Sequence, residues 1–230
     1  MGIDYTKRPS TPQQQPAVPQ PGPPTAGPLN LSKISLTKAA PAVNLTKSGE
    51  RQGLMRINLN WTSGAARKGF FGGGGSRAVD LDLGCLYELT DGSKGVIQAL
   101  GNSFGARDRA PYISLDGDDR TGAAAGGENM YINLQYGDRF RRILIFAMIY
   151  EGAANWAAVD GVVTMFPTSG PQIEVRLDSP QTDARICAIA QVYTTGSGLA
   201  VHREDRYISG SQSDLDRAYG WGMQWTRGRK

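Results

Sequence analysis

The chain has one histidine, two cysteines and no apolar run long enough to cross a bilayer, and each scarcity removes a class of function. The single histidine, His202 in LAVHREDRY, has no activated serine motif or cysteine partner near it, so nucleophilic triad chemistry is not expected. Cys85 and Cys187 lie far apart in apolar stretches, which marks them as reduced, buried packing residues rather than a disulfide framework. The longest apolar run, ILIFAMIY at 143–150, falls far short of the roughly twenty residues a spanning helix needs, so no transmembrane segment is expected. No basic start followed by an apolar stretch marks a signal peptide in the first thirty residues. Together these features predict a soluble, cytoplasmic protein. Charge of one sign is also scarce: 25 basic against 21 acidic side chains give a net charge of +4. The basic excess sits largely at the two ends, at Lys7 and Arg8 and at Arg227, Arg229 and Lys230. A dense basic face is missing, so nucleic acid is not an expected partner.

What is present divides into a tail and a domain. Residues 8–28 read RPSTPQQQPAVPQPGPPTAGP, in which prolines and polar glutamines leave little to bury, so 1–28 is expected to be a disordered, partly polyproline tail. The remainder, 29–230, is long enough for one sizeable core. It opens on a small repeat, NLSK at 30–33, SLTK at 35–38 and NLTK at 44–47, which suits an edge strand guarded by lysines. RINLNW at 56–61 puts Ile57, Leu59 and Trp61 on one face and Arg56, Asn58 and Asn60 on the other, a strand with one wet face. DLDLGCLYEL, KGVIQAL, MYINL, RRILIFAMIY, GVVTMF, QIEVRL and RICAIAQVY also read as strands, separated by turn signals such as Asp91-Gly92. Only SQSDLDRAYGW, with Leu215 and Tyr219 four apart, carries a helical period. The predicted fold is all-β: an antiparallel two-sheet β-sandwich with short helical segments.

Against this background two acidic clusters stand out. The first holds Asp80 and Asp82, two apart on a strand and so on the same face, roughly 7 Å apart at Cα, with Leu81 and Leu83 facing the core. The second, LDGDDRTGAAAGGEN, holds Asp116, Asp118, Asp119 and Glu128 in a loop with almost no side-chain bulk. Carboxylates this dense repel one another unless a hard cation joins them, and a loop that mixes carboxylates with main-chain oxygens suits calcium. D-G-D-D-R-T is not an EF-hand, because the glycine is misplaced, the glutamate falls one residue late and helical flanks are missing. Two other readings of the acids remain open. One is a metal-dependent hydrolase, which would want a basic residue beside the acids, where the loop supplies only Arg120. The other is a structural adaptor that needs no calcium. FFGGGGS at 70–76 is followed by no GK[ST] and reads as a flexible hairpin connection. Tyr219, Trp221 and Trp225 are expected to pack a terminal segment onto the sandwich.

The order of these pieces resembles the TerD/TerA family of tellurium-resistance and stress proteins, and its TerA-like branch in particular. The matching segments are SLTKAAP, INLNW, VDLDLGCLYEL, GNSFG around Asn102, GDDRTG, ENMYINL, ILIFAMIYEG and Asn155-Trp156, followed by LDRAYGWGMQW. The resemblance runs from about residue 29 to the end. It implies a non-enzymatic, calcium-binding sandwich of a bacterial tellurite-resistance and stress-response system. That sandwich would work with other Ter-type stress proteins in an assembly at the inner membrane face. Carried over position by position, the calcium ligands would be Asp80, Asp82, Asp118, Asp119 and Glu128, with Asp116 and Asn102 as further donors. One departure matters: AAAGGEN replaces the further acids usual in the family, so one calcium ion is expected where the family tends to hold a pair.

Overall fold

The computed structural model describes residues 33–37, 39–45, 52–62, 79–117, 126–196 and 198–226. The tail over 1–28, the FFGGGGS segment, Asp118, Asp119, Arg120 and the closing Arg227, Arg229 and Lys230 lie outside the described residues.

Thirteen strands are found among the described residues. They are β1 Lys33–Ser35, β2 Ala42–Asn44, β3 Leu54–Asn60, β4 Asp80–Leu89, β5 Lys94–Ile97, β6 Gly105–Ala106, β7 Ile113–Leu115, β8 Glu128–Asn133, β9 Phe140–Glu151, β10 Gly161–Phe166, β11 Gln172–Leu177, β12 Ile186–Thr195 and β13 Gly198–Ile208. They form two sheets, β1-β11-β10-β3-β8-β7-β6 and β2-β13-β12-β9-β4-β5. All strand pairs are antiparallel except β1 with β11. The all-β sandwich read from the sequence is therefore the fold.

Alternation explains most of the packing. In β3, Ile57 and Leu59 are fully buried and Trp61 just beyond is nearly so, while Arg56 and Asn58 are half-buried on the outer face. The inward rows of both sheets meet in one core that includes Met55, Leu81, Leu83, Ile143, Ile145, Val163 and Ile189. The tetrapeptide repeat has a structural counterpart. Leu36 follows β1 and donates its N–H to Glu174 O at 3.3 Å; Leu45 follows β2 and donates to Leu199 O at 2.9 Å. Each leucine is buried, so one repeat unit closes an edge of each sheet.

The long apolar run of β9 reflects burial on both faces. Ile143, Ile145, Ala147 and Ile149 face the other sheet, whereas Leu144 and Phe146 face outward under a second, smaller core with Leu86, Ile186, Ala188, Leu215 and Trp221. The cover over that outer face is helix α1, Gln212–Tyr219, and the segment behind it. Asp214 Oδ2 takes the Ser211 N–H at 2.8 Å to cap the helix start, and Gly220 ends it at φ 61, a left-handed conformation that glycine adopts without strain. Gly84 is required for a different reason: a Cβ there would stand 2.5 Å from the Phe146 ring.

Strand β13 departs from the sequence reading, which placed no strand over LAVHREDRY. Its charged run spoils the apolar alternation, and it breaks register with β12 between Ala188 and Ala190, where Asp205 takes φ 44. No helix among the described residues is long and apolar enough to cross a membrane.

Candidate functional site

Strand β4 is paired along its whole length with β9, but β5 covers only Cys85 to Glu88 on the other side. The backbone of β4 before Cys85 therefore has an edge that β5 does not reach. Glu128 fills part of it. This residue opens β8 in the opposite sheet, where it pairs with Leu59, and its carboxylate crosses to β4 and accepts the Leu83 N–H through Oε2 at 2.7 Å. The approach depends on Gly127, at φ 62, where a Cβ would lie 2.1 Å from Leu59 O.

Through Glu128 the second acidic cluster thus touches β4, the strand that carries Asp80 and Asp82. Leu81 and Leu83 point into the inter-sheet core as expected, and alternation places Asp82 on the face shared by Gly84 and Leu86. Asp80, Asp82 and Glu128 are 3%, 2% and 2% exposed, so they are buried acids and not part of a solvated sheet face. Buried carboxylates are costly unless hydrogen-bonded or matched by positive charge. Their oxygens are hard donors of the kind calcium takes, and in this respect the residues fit the ion. Among the described residues, however, no three His, Cys, Asp or Glu side chains form a metal-holding group. Asp80, Asp82 and Glu128 do not by themselves form such a group, and Asp118 and Asp119 lie outside the described residues.

The other sequence-derived candidates sit farther out. Asp116 is exposed at the stem of the acidic loop, and its N–H donates to Asn129 O at 2.8 Å, which ties the loop's entry to its exit. Asn102 occupies an exposed turn after β5 at φ 57, with its N–H on Ala99 O at 2.9 Å; the left-handed turn itself accounts for asparagine there. His202, on β13, lies 3.1 Å from Glu204 Oε1, whose other oxygen takes the Tyr219 hydroxyl at 2.9 Å. That network ties β13 to the end of α1. Cys85 and Cys187 are free and fully buried, and burial pushes both thiols far above their ordinary pKa.

Sequence reasoning missed three polar centres. Glu88, 4% exposed, accepts from Arg142 Nε at 2.7 Å and faces Arg141 and Lys94 at 3.3 and 3.7 Å. Burial works to raise its pKa, but the Arg142 hydrogen bond and the three positive charges outweigh it and hold the carboxyl below the usual glutamate range. Arg142 also lies 3.8 Å from the Trp221 ring centroid and donates to Tyr219 O and Gly220 O, so it caps the C-terminus of α1. Asp216 accepts from Gly222 N, Met223 N and Trp225 Nε1 at 2.8 to 2.9 Å, which folds the terminal segment back onto the helix. The expected packing of Trp221 and Trp225 onto the sandwich is realised through these two centres. The third is Asn58 on β3, whose amide reaches the exit of the acidic loop. The only signal for it in the sequence is an asparagine on the wet face of a strand.

No family model matches the chain. It is 45% identical over 231 residues to the tellurium resistance protein TerA of an Alcaligenes species, an alignment that takes in all of this chain and 66% of that protein. The chain thus spans just under two thirds of this curated relative. Among solved structures it is similar to a Streptomyces coelicolor homologue of the telluride resistance protein TerD. The TM-score is 0.50 at 17% identity, covering 72% of this chain and 95% of that one, a likeness of fold. It is also similar to a crystallised protein of unknown function, with a TM-score of 0.47 at 18% identity, covering 68% and 92% of the two chains.

Proposed function

The chain belongs to the TerD/TerA family of tellurium-resistance proteins, and from that premise we propose that it is a non-enzymatic, calcium-binding sandwich serving tellurite resistance and the stress response. The observation that supports the calcium reading is the near-complete burial of Asp80, Asp82 and Glu128, with the Glu128 carboxylate seated on the Leu83 N–H of the strand that carries the two aspartates. A bound calcium ion would neutralise the repulsion among these carboxylates. Asp80 and Asp82 would hold it from β4, Glu128 from β8, and Asp118 and Asp119 from the loop between. The chain's own part is to bring the two sheets' acids together and to hold Glu128 against Leu83 before the ion arrives. With the loop ordered, the protein would present a binding surface to other Ter-type proteins in a cytoplasmic assembly at the inner membrane face.

The test is calorimetry on metal-stripped full-length protein, with melting temperature followed across a calcium titration. One ion per chain and a rise in melting temperature are expected, since a ligand that binds only the folded state stabilises it by mass action. The absence of any shift at millimolar calcium would sink the proposal. The double variant Asp80→Asn/Asp118→Asn should abolish the calcium response.

A further inference from the structure

The acidic loop returns to β8 through Gly126, Gly127, Glu128 and Asn129, and this exit is clamped from the outer face of β3. The Asn58 amide nitrogen donates to Gly126 O, to Glu128 O at 3.3 Å and to Asn129 Oδ1 at 3.1 Å. Behind it, Arg56 donates to the same Asn129 Oδ1 at 3.1 Å and lies 3.8 Å from the Phe166 ring centroid, so its guanidinium is fixed by a partner on each side. The peptide that Asn58 grips at Glu128 is the one whose side chain passes to the opposite face and reaches Leu83. Strand alternation explains the geometry: Asn129 points out to Asn58 and Arg56, while Glu128 points in to β4.

We infer that Asn58 is a positioning residue for the calcium site: it fixes the loop exit so that Glu128 is aimed at the ion's place, and Arg56 holds Asn129 as its anchor. This rests on the calcium reading above. Asn58 acts through the Gly126 and Glu128 carbonyl oxygens and the Asn129 side chain. Residues that orient metal ligands without touching the metal typically contribute about 10- to 100-fold in affinity.

The experiment compares wild type, Asn58→Ala, Asn58→Gln and Thr164→Ala as metal-stripped full-length proteins, by calcium calorimetry and by urea unfolding without metal. Thr164 sits beside Asn58 across the β10–β3 pair and serves as the control for that face. Asn58→Ala should weaken calcium binding at least about tenfold, Asn58→Gln should recover part of the loss, and Thr164→Ala should bind as wild type. The metal-free unfolding midpoints should stay close together, because the lost hydrogen bonds are exposed or only partly buried. Equal calcium affinity in wild type and Asn58→Ala overturns the positioning role. A loss in Asn58→Ala that Asn58→Gln does not relieve, matched by an equal loss of metal-free stability, also overturns it in favour of a purely structural role. If wild type itself takes up no calcium, the calcium reading fails and the positioning role with it.

Discussion

Glu128 has one observed role and one proposed role, which a pair of substitutions can separate. Its Oε2 accepts a buried backbone N–H at 2.7 Å, and in the calcium proposal its charge serves as a ligand. Glu128→Ala removes both: the Leu83 N–H loses a charged acceptor, worth about 1.5–3 kcal/mol, and is left in a site too buried for easy hydration, a penalty of about 1–3 kcal/mol. These overlap, so about 3 kcal/mol is the reasonable expectation for metal-free protein. In a domain near 200 residues each kcal/mol moves the melting temperature by about 2–4 °C, which gives a fall of about 6–12 °C. Glu128→Gln keeps an oxygen acceptor for the Leu83 N–H and removes a buried charge, so its metal-free stability should lie close to wild type. Both variants should lose the calcium-induced rise, which for wild type amounts to about 2.7 kcal/mol at a hundredfold excess over Kd. The assay is thermal unfolding by circular dichroism in chelator and in calcium. If Glu128→Gln melts as low as Glu128→Ala in chelator, the Leu83 hydrogen bond is not what this residue contributes. If Glu128→Gln keeps the full calcium rise, Glu128 is not a ligand.

Three further outcomes follow from the geometry. Trp221 is 1% exposed, donates its indole N–H to Tyr87 O at 3.1 Å and lies under Arg142, so Trp221→Ala should cost about 3–5 kcal/mol in urea unfolding. A loss under about 1 kcal/mol would mean that the terminal segment is not docked on the sheet. Because Glu88 is held below the usual value near 4.5, its contribution is full above that pH and fades as pH falls toward its folded-state value. Glu88→Gln should therefore flatten the acid side of the stability profile, and an unchanged acid slope would contradict the pairing. Both thiols should resist a disulfide reagent in native protein and react in denaturant; fast native reaction would overturn their assignment as core residues.

Much of the sandwich was legible because apolar and polar residues alternate along its strands. The run from Asp80 to Leu89 is a strand over its full predicted length, and the helix before Gly220 announces itself through the four-residue spacing of Leu215 and Tyr219. Strand β13 was hidden because its middle carries His202, Arg203, Glu204, Asp205 and Arg206, and the register break lets these charges turn to side-chain partners instead of alternating. Nothing in the sequence singles out Glu88; its charge partners Arg142 and Lys94 reach it from β9 and β5, the strands paired on either side of β4.

The candidate site divides in the same way. Local spacing by itself determined that Asp80 and Asp82 share a face and that hard oxygen donors are concentrated in two short segments. Only the tertiary structure decided that Glu128 reaches β4, since β4 and β8 belong to different sheets and nothing in the sequence between them encodes their distance. It also decided that these acids are buried, because burial depends on where β5 stops and on how far the Glu128 side chain reaches across the sandwich. Alternation is a property of neighbours along the chain, and a site made from two sheets is a property of how they pack.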